Sequence, residues 1–204
     1  MISDSVPWKE SLLATAARIE RKVVQKRWTE RSMFLFERDV MTAAYSVRKL
    51  IESHKVSDTL ARKSWPLIKF ARIGPVPDVY NFYAPEELFD LSSSTRFSLS
   101  TLEITNQIVH SFLFFPVWQW HEETGRRGNL ISLSFVSDRR RRDHLLSIDI
   151  GKIIELLNEV GDEDVISVTM RPDENGERYF SEVVGVGRGD PRHWASGCAN
   201  ESET

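Results

Sequence analysis

The chain has 204 residues, of which 41% are hydrophobic, 10% aromatic and 28% charged. With one cysteine and a formal net charge of −3, this composition excludes collagen, a disulfide scaffold, a wholly disordered chain and a protein basic throughout. The net figure conceals a division: residues 1–72 carry fifteen Lys and Arg against eight Asp and Glu, a net of +7, and residues 73–204 carry twelve against twenty-two, a net of −10.

Such an asymmetry fits a basic segment that meets a polyanion. It also fits two halves that attract each other, or copies of each other. Cys198 has no partner for an intramolecular disulfide, which points to a reducing compartment. Met1 to Glu10 contains Asp4, Lys9 and Glu10 and does not read as a signal peptide. The most apolar window, Ile108 to Trp120, is interrupted by His110, Ser111, Pro116 and Gln119, short of the roughly 18 apolar residues of a spanning helix. A cytoplasmic protein without a membrane partner is expected.

Trp8 to Arg31 reads as an amphipathic helix, because Leu12, Ala16, Ile19 and Val23 recur at helical steps. A second helix is expected from Met33 to His54, with Phe36, Val40, Ala43, Val47, Leu50 and His54 on one stripe. The two pair antiparallel or, with no Gly or Pro between them, form one long bent helix. Trp65 to Ile73 alternates in part and ends at Gly74-Pro75, as a short strand or extended connector does. Pro75, Pro77 and Pro85 then predict a loop anchored by Tyr80, Phe82 and Tyr83, with one helical turn at Pro85 to Phe89.

Ser92 to Thr95 reads as a polar break, and Leu99 to Ile108 as a helix whose capping box is Ser100 with Glu103. The rest of the chain looks β-rich. Phe112 to Trp120 is β-prone. Leu130 to Val136 and Leu145 to Ile150 alternate as a hairpin pair around an arginine-rich connection. Asp149 caps a short helix that stops at Gly161. Asn175-Gly176 between Val165–Arg171 and Arg178–Val186 marks a hairpin.

Helices followed by mostly antiparallel strands predict an α+β fold: an N-terminal helix pair, then a sheet with one or two packed helices. The expected organisation is a basic helical segment at 1–62, a sheet region at 63–186 in the same domain or a second one, and a flexible tail at 187–204 in which Trp194 is the candidate to dock.

Asp138-Arg139-Arg140-Arg141-Arg142-Asp143-His144 falls at the connection between two predicted strands. There Arg139, Arg140, Arg141 and Arg142 would be displayed at a tip, and guanidinium forks match phosphate oxygens. The competing reading is a solvated loop neutralised at its ends by Asp138 and Asp143. Asn106 and His110 stand one helical turn apart and form a candidate polar pocket or, more simply, satisfy the backbone at a helix-to-strand junction. Trp118 and Trp120 share one face of a strand, for core packing or for base stacking. Five histidines without an H-x-x-x-H pair suggest no metal, and no motif requires a cofactor.

Arg48, followed after five intervening residues by His54, resembles the active-site motif of HEPN ribonucleases. The resemblance implies metal-independent RNA cleavage through the 2′-hydroxyl, with Arg48 and His54 as catalytic residues, in a helical bundle. Lys49 stands where that family often has a polar residue. Six helical positions advance roughly 240° net, so the pair shares a face only if the helix starts or breaks between them. On their own terms, Arg48 pairs with Glu52 at i,i+4 and His54 ends a helix.

The wording at Ser46–Asp58, at Asn106–Ser111 and at Ser137–Arg139 with the Asp149 segment is similar to uncharacterised bacterial proteins. That resemblance implies a bacterial or phage origin and no reaction. The leading expectation is a non-enzymatic binding or accessory protein that engages nucleic acid or an acidic protein surface through its basic helices and arginine loop. The alternatives are the ribonuclease and a structural subunit that forms a homodimer through its helix pair.

Overall fold

The computed structural model describes residues 2–123 and 125–192; Trp194 and Cys198 lie outside the described residues. Helix α1 spans Val6–Val23, with proline in its first turn and Arg21 and Lys22 in its last, where cations suit the carbonyl end. It stops short of the predicted Arg31 because a new helix begins. Thr29 caps α2 (Glu30–Glu52): its hydroxyl accepts from Ser32 N, and Ser32 Oγ accepts from Thr29 N at 2.8 Å. Residues 24–29 connect two separate helices, not one bent helix.

His54 does not extend the apolar stripe. It follows α2 at φ 56°, in the left-handed region, with Lys55 N donating to Leu50 O at 2.9 Å. Ser57 then caps α3 (Asp58–Arg62), which leads into β1 (Ser64–Arg72).

After the loop at 73–84 come α4 (Pro85–Leu88) and β2 (Phe89–Ser100). Ser92 to Thr95 is therefore strand, not a break; Ser94 pairs with Phe70 and Thr95 with Lys69. A polar strand is tolerated there because β2 is an edge of the sheet and these residues face solvent. Leu99 belongs to the same strand. Ser100 caps α5 (Thr101–Val109) in the expected capping box with Glu103.

Strands β3 (Ser111–His121), β4 (Arg126–Ser137) and β5 (His144–Asp149) follow, then α6 (Ile150–Asp162), whose cap Asp149 accepts from Gly151 N at 2.7 Å. Gly161 lies inside α6 and does not stop it. A Cβ there would meet Leu13 at 2.7 Å and the Lys9 carbonyl at 3.1 Å, so this glycine lets α1 approach α6. The hairpin β6 (Glu163–Pro172) and β7 (Arg178–Gly187) turns at Gly176, φ 81°.

The main sheet has the order β2-β1-β5-β4-β3, antiparallel throughout, and β6–β7 form a second sheet. The fold is α+β. Leu12, Ile19, Phe36, Val47 and Leu50 of the first two helices share one core with Leu133, Phe135, Leu146 and Ile148 of the sheet. Burying each such side chain contributes about 1.5–3 kcal/mol. Their apolar stripes thus meet the chain's own sheet. A smaller cluster, Leu88, Phe89, Leu113, Val136 and Leu145, covers the other face. Among the described residues, no helix is long and apolar enough to cross a membrane.

Candidate functional site

The β4–β5 connection, residues 138–143, is a tight turn: Ser137 O accepts from Arg140 N and Arg141 N, both at 3.0 Å. Its four arginines do not form one uniform display. Arg141 turns inward, pairs with Asp138 at 3.1 Å, donates to Pro77 O at 2.5 Å and lies 4.3 Å over the Phe112 ring. It ties the turn to the 73–84 loop. Arg139 and Arg142 are exposed and Arg140 is half-buried; among the described residues none of the three has a carboxylate in ion-pair range. Asp138 pairs with Arg141, and Asp143, the other acid of the turn, forms no ion pair among the described residues.

Asn106 and His110 meet through backbone alone, His110 N donating to Asn106 O at 3.1 Å. The His110 ring is exposed at the end of α5 and faces Arg48, whose Nη1 is 3.0 Å from His110 Nε2. A guanidinium only donates, so Nε2 is the acceptor in this contact. Arg48 also donates to Glu52 at 2.6 Å, and Lys49 donates to the same carboxylate at 2.7 Å. Those two bonds, led by Lys49, hold the Glu52 carboxyl below its usual range. His54 goes elsewhere and stacks on Phe180 with ring centroids 3.7 Å apart. Arg48 and His54 are therefore engaged by different elements, α5 and β7, and the structure does not bring them together.

Sequence reasoning overlooked a second basic group, at the far end of β4. Lys26 of the α1–α2 connection reaches Asn129 Oδ1 at 3.5 Å, which brings its ammonium to the end of β4 that begins with Arg126 and Arg127. Arg127 lies 3.9 Å over the Trp118 ring, and Trp118 packs edge-on to Trp28 at 5.3 Å. Trp118 is a half-buried core ring, whereas Trp120 is 62% exposed. The signal available was Arg126-Arg127 next to Gly128, between two β-prone runs.

Two further side chains titrate away from their ordinary values, buried Lys9 and half-buried His144, which directly follows the arginine turn. Lys9 is fully buried, donates to Glu163 O and lies 3.6 Å from Asp164; burial lowers its pKa despite both carboxylates. His144 has its pKa lowered by burial first, then by Lys69 and Arg140. Among the described residues, no three His, Cys, Asp or Glu side chains converge as a metal ion would require. No protein-family model, curated protein or solved structure matches the chain.

Proposed function

We propose that this protein is a non-enzymatic binding protein that holds a nucleic-acid backbone through basic groups at the two ends of β4. The observation that carries this reading is the set of exposed basic side chains that form no ion pair among the described residues, Arg139 and Arg142 at one end and Arg126 with Lys26 at the other. Twelve strand residues separate the ends, roughly 40 Å at about 3.3 Å per residue. A turn anchored by Arg141 presents its neighbours in a fixed arrangement, which lowers the entropic cost of contact.

Such contacts neutralise phosphates and release counterions, so they give salt-dependent binding without base preference. The test is fluorescence anisotropy with mixed nucleic acids between about 50 and 200 mM salt. Binding at low salt is expected. Replacing Arg139 and Arg142 by alanine should flatten the log–log salt slope by about 0.9 for each lost phosphate contact. Absence of binding at low salt, or an unchanged slope in the variant, refutes the proposal. Preference for an acidic protein over nucleic acid redirects it to that partner.

A further inference from the structure

Along the outer edge of β3 runs a groove of about 720 Å³. The strand is its floor, Glu37 and Met41 of α2 stand on one side, and Phe82 and Tyr83 of the 73–84 loop stand on the other. Two rings along it each carry an arginine, on opposite faces of the strand: Arg141 lies over Phe112, on the side of the smaller cluster, and Arg127 lies over Trp118, on the side of the main core. These rings are six residues apart, roughly 20 Å along a strand. The groove therefore joins the arginine turn to the second basic group.

A free strand edge ordinarily invites another strand, but this one is built against that. Pro116 sits in mid-strand, and the register with β4 breaks between Ser111 and Leu113, between Val117 and Trp118, and between Trp118 and Trp120. Proline and bulges are the devices that prevent strand addition. An extended peptide thus lacks the regular ladder of hydrogen bonds that gives such partners their affinity.

What the groove does offer is aromatic surface beside cations. Tyr83 is 75% and Phe82 51% exposed. Glu37 repels phosphate from the α2 side, which leaves the arginine ends as the backbone contacts.

We infer that the β3 groove binds a single-stranded nucleic acid segment, its backbone held at Arg127 and at the arginine turn and its bases stacked on Tyr83 and Phe82. This inference rests on the polyanion reading and narrows it from any backbone to an unpaired strand. Aromatic platforms in a basic groove suit unpaired strands, whose bases have free faces, and not a duplex, whose bases are already stacked.

The test uses the full chain and a labelled strand of about twelve nucleotides, in one arm as DNA and in the other as RNA, each against its duplex. Both substituted residues are exposed, so Phe82→Ala with Tyr83→Ala leaves the core intact. The double variant removes two stacking faces and should weaken single-strand binding about 30-fold or more while leaving duplex binding unchanged. Tyr83→Phe alone should retain the affinity, because the stacking face remains. Single-strand preference in either arm supports the inference, and the tighter arm identifies the sugar. Equal binding of strand and duplex, or no effect of the aromatic variants, overturns the groove while the arginine reading stands. No salt-dependent binding of any nucleic acid overturns both.

Discussion

Glu163→Ala removes an acceptor at which three parts of the chain meet. Glu163 is 8% exposed; its carboxylate accepts Ser57 N at 2.8 Å and Ser57 Oγ at 2.5 Å, and its own carbonyl takes the Lys9 ammonium. Ser57 Oγ accepts in turn from Leu60 N at 3.1 Å and so starts α3. Truncation leaves two buried donors of Ser57 without an acceptor and withdraws a negative charge from near a buried lysine. Hydrogen bonds to charged groups contribute about 1.5–3 kcal/mol each, and breaking a buried charged network from one side costs about 3–5 kcal/mol. The two bonds share one partner residue and are not additive, so a loss of about 3–4 kcal/mol is expected. Glu163→Gln keeps the shape and one acceptor, and the Ser57 hydroxyl can rotate to accept from the new amide; its expected cost is about 1–2 kcal/mol. Gly185 supplies an independent check. A Cβ there would come 2.6 Å from the Glu163 carboxyl carbon, so Gly185→Ala should displace the carboxylate and reproduce much of the loss. Urea unfolding followed by tryptophan fluorescence reads the shift in midpoint at constant slope. A loss below about 1 kcal/mol for Glu163→Ala, or equal losses for Ala and Gln, would refute this account.

Two further outcomes follow from the packing and from the titrating groups. Gly161→Ala puts a methyl group against Leu13 and the Lys9 carbonyl, so it should destabilise by about 1–3 kcal/mol; trimming Leu13 to alanine as well relieves the side-chain clash but not the 3.1 Å backbone approach, and only part of the loss should return. His144 has a folded pKa below its ordinary 6.5, so the unfolded chain binds the proton first. Its contribution to stability is present above 6.5 and is lost as pH falls below that value. Urea midpoints measured from about pH 7 down to about pH 5 should therefore fall more steeply for the native chain than for His144→Gln, and parallel curves would contradict the assignment.

Local chemistry made much of the fold legible. Asn175-Gly176, the Ser100–Glu103 box and the Asp149 cap each act within four residues, and each marks a boundary the structure keeps. Two features hid because their cause is distant or ambiguous. Ser92 to Thr95 is strand only because β1 pairs with it, which no local pattern announces. Gly161 looks like a stop but answers to Leu13, on another helix. The candidate site divides in the same way. The arginine run was readable as a turn, but the inward role of Arg141 depends on Phe112 and Pro77, and the second basic group depends on Lys26 meeting Asn129 across 103 residues. Six positions separate Arg48 from His54, the helix ends between them, and the reversal at His54 carries its ring to β7 while Arg48 reaches the end of α5.

The division of charge allowed two contacts, one within the molecule and one outside it. Among the described residues, Lys9 and Lys63 are the basic groups of the first 72 residues that form ion pairs beyond that boundary, with Asp164, Glu155 and Glu159. Internal attraction thus engages two lysines, one buried and structural, and joins α1 and the end of α3 to α6 and β6. Among the described residues Arg21, Lys26, Arg27 and Arg31 are exposed and form no ion pair, and the fold brings Lys26 to Asn129, at the end of β4 that begins with Arg126 and Arg127 of the acidic portion. A patch assembled from both portions of the chain escapes any count taken along the sequence. Potentials at a surface follow the nearest charges within roughly 8–10 Å at ordinary salt, so a net of −3 places no bar on an anionic partner at β4.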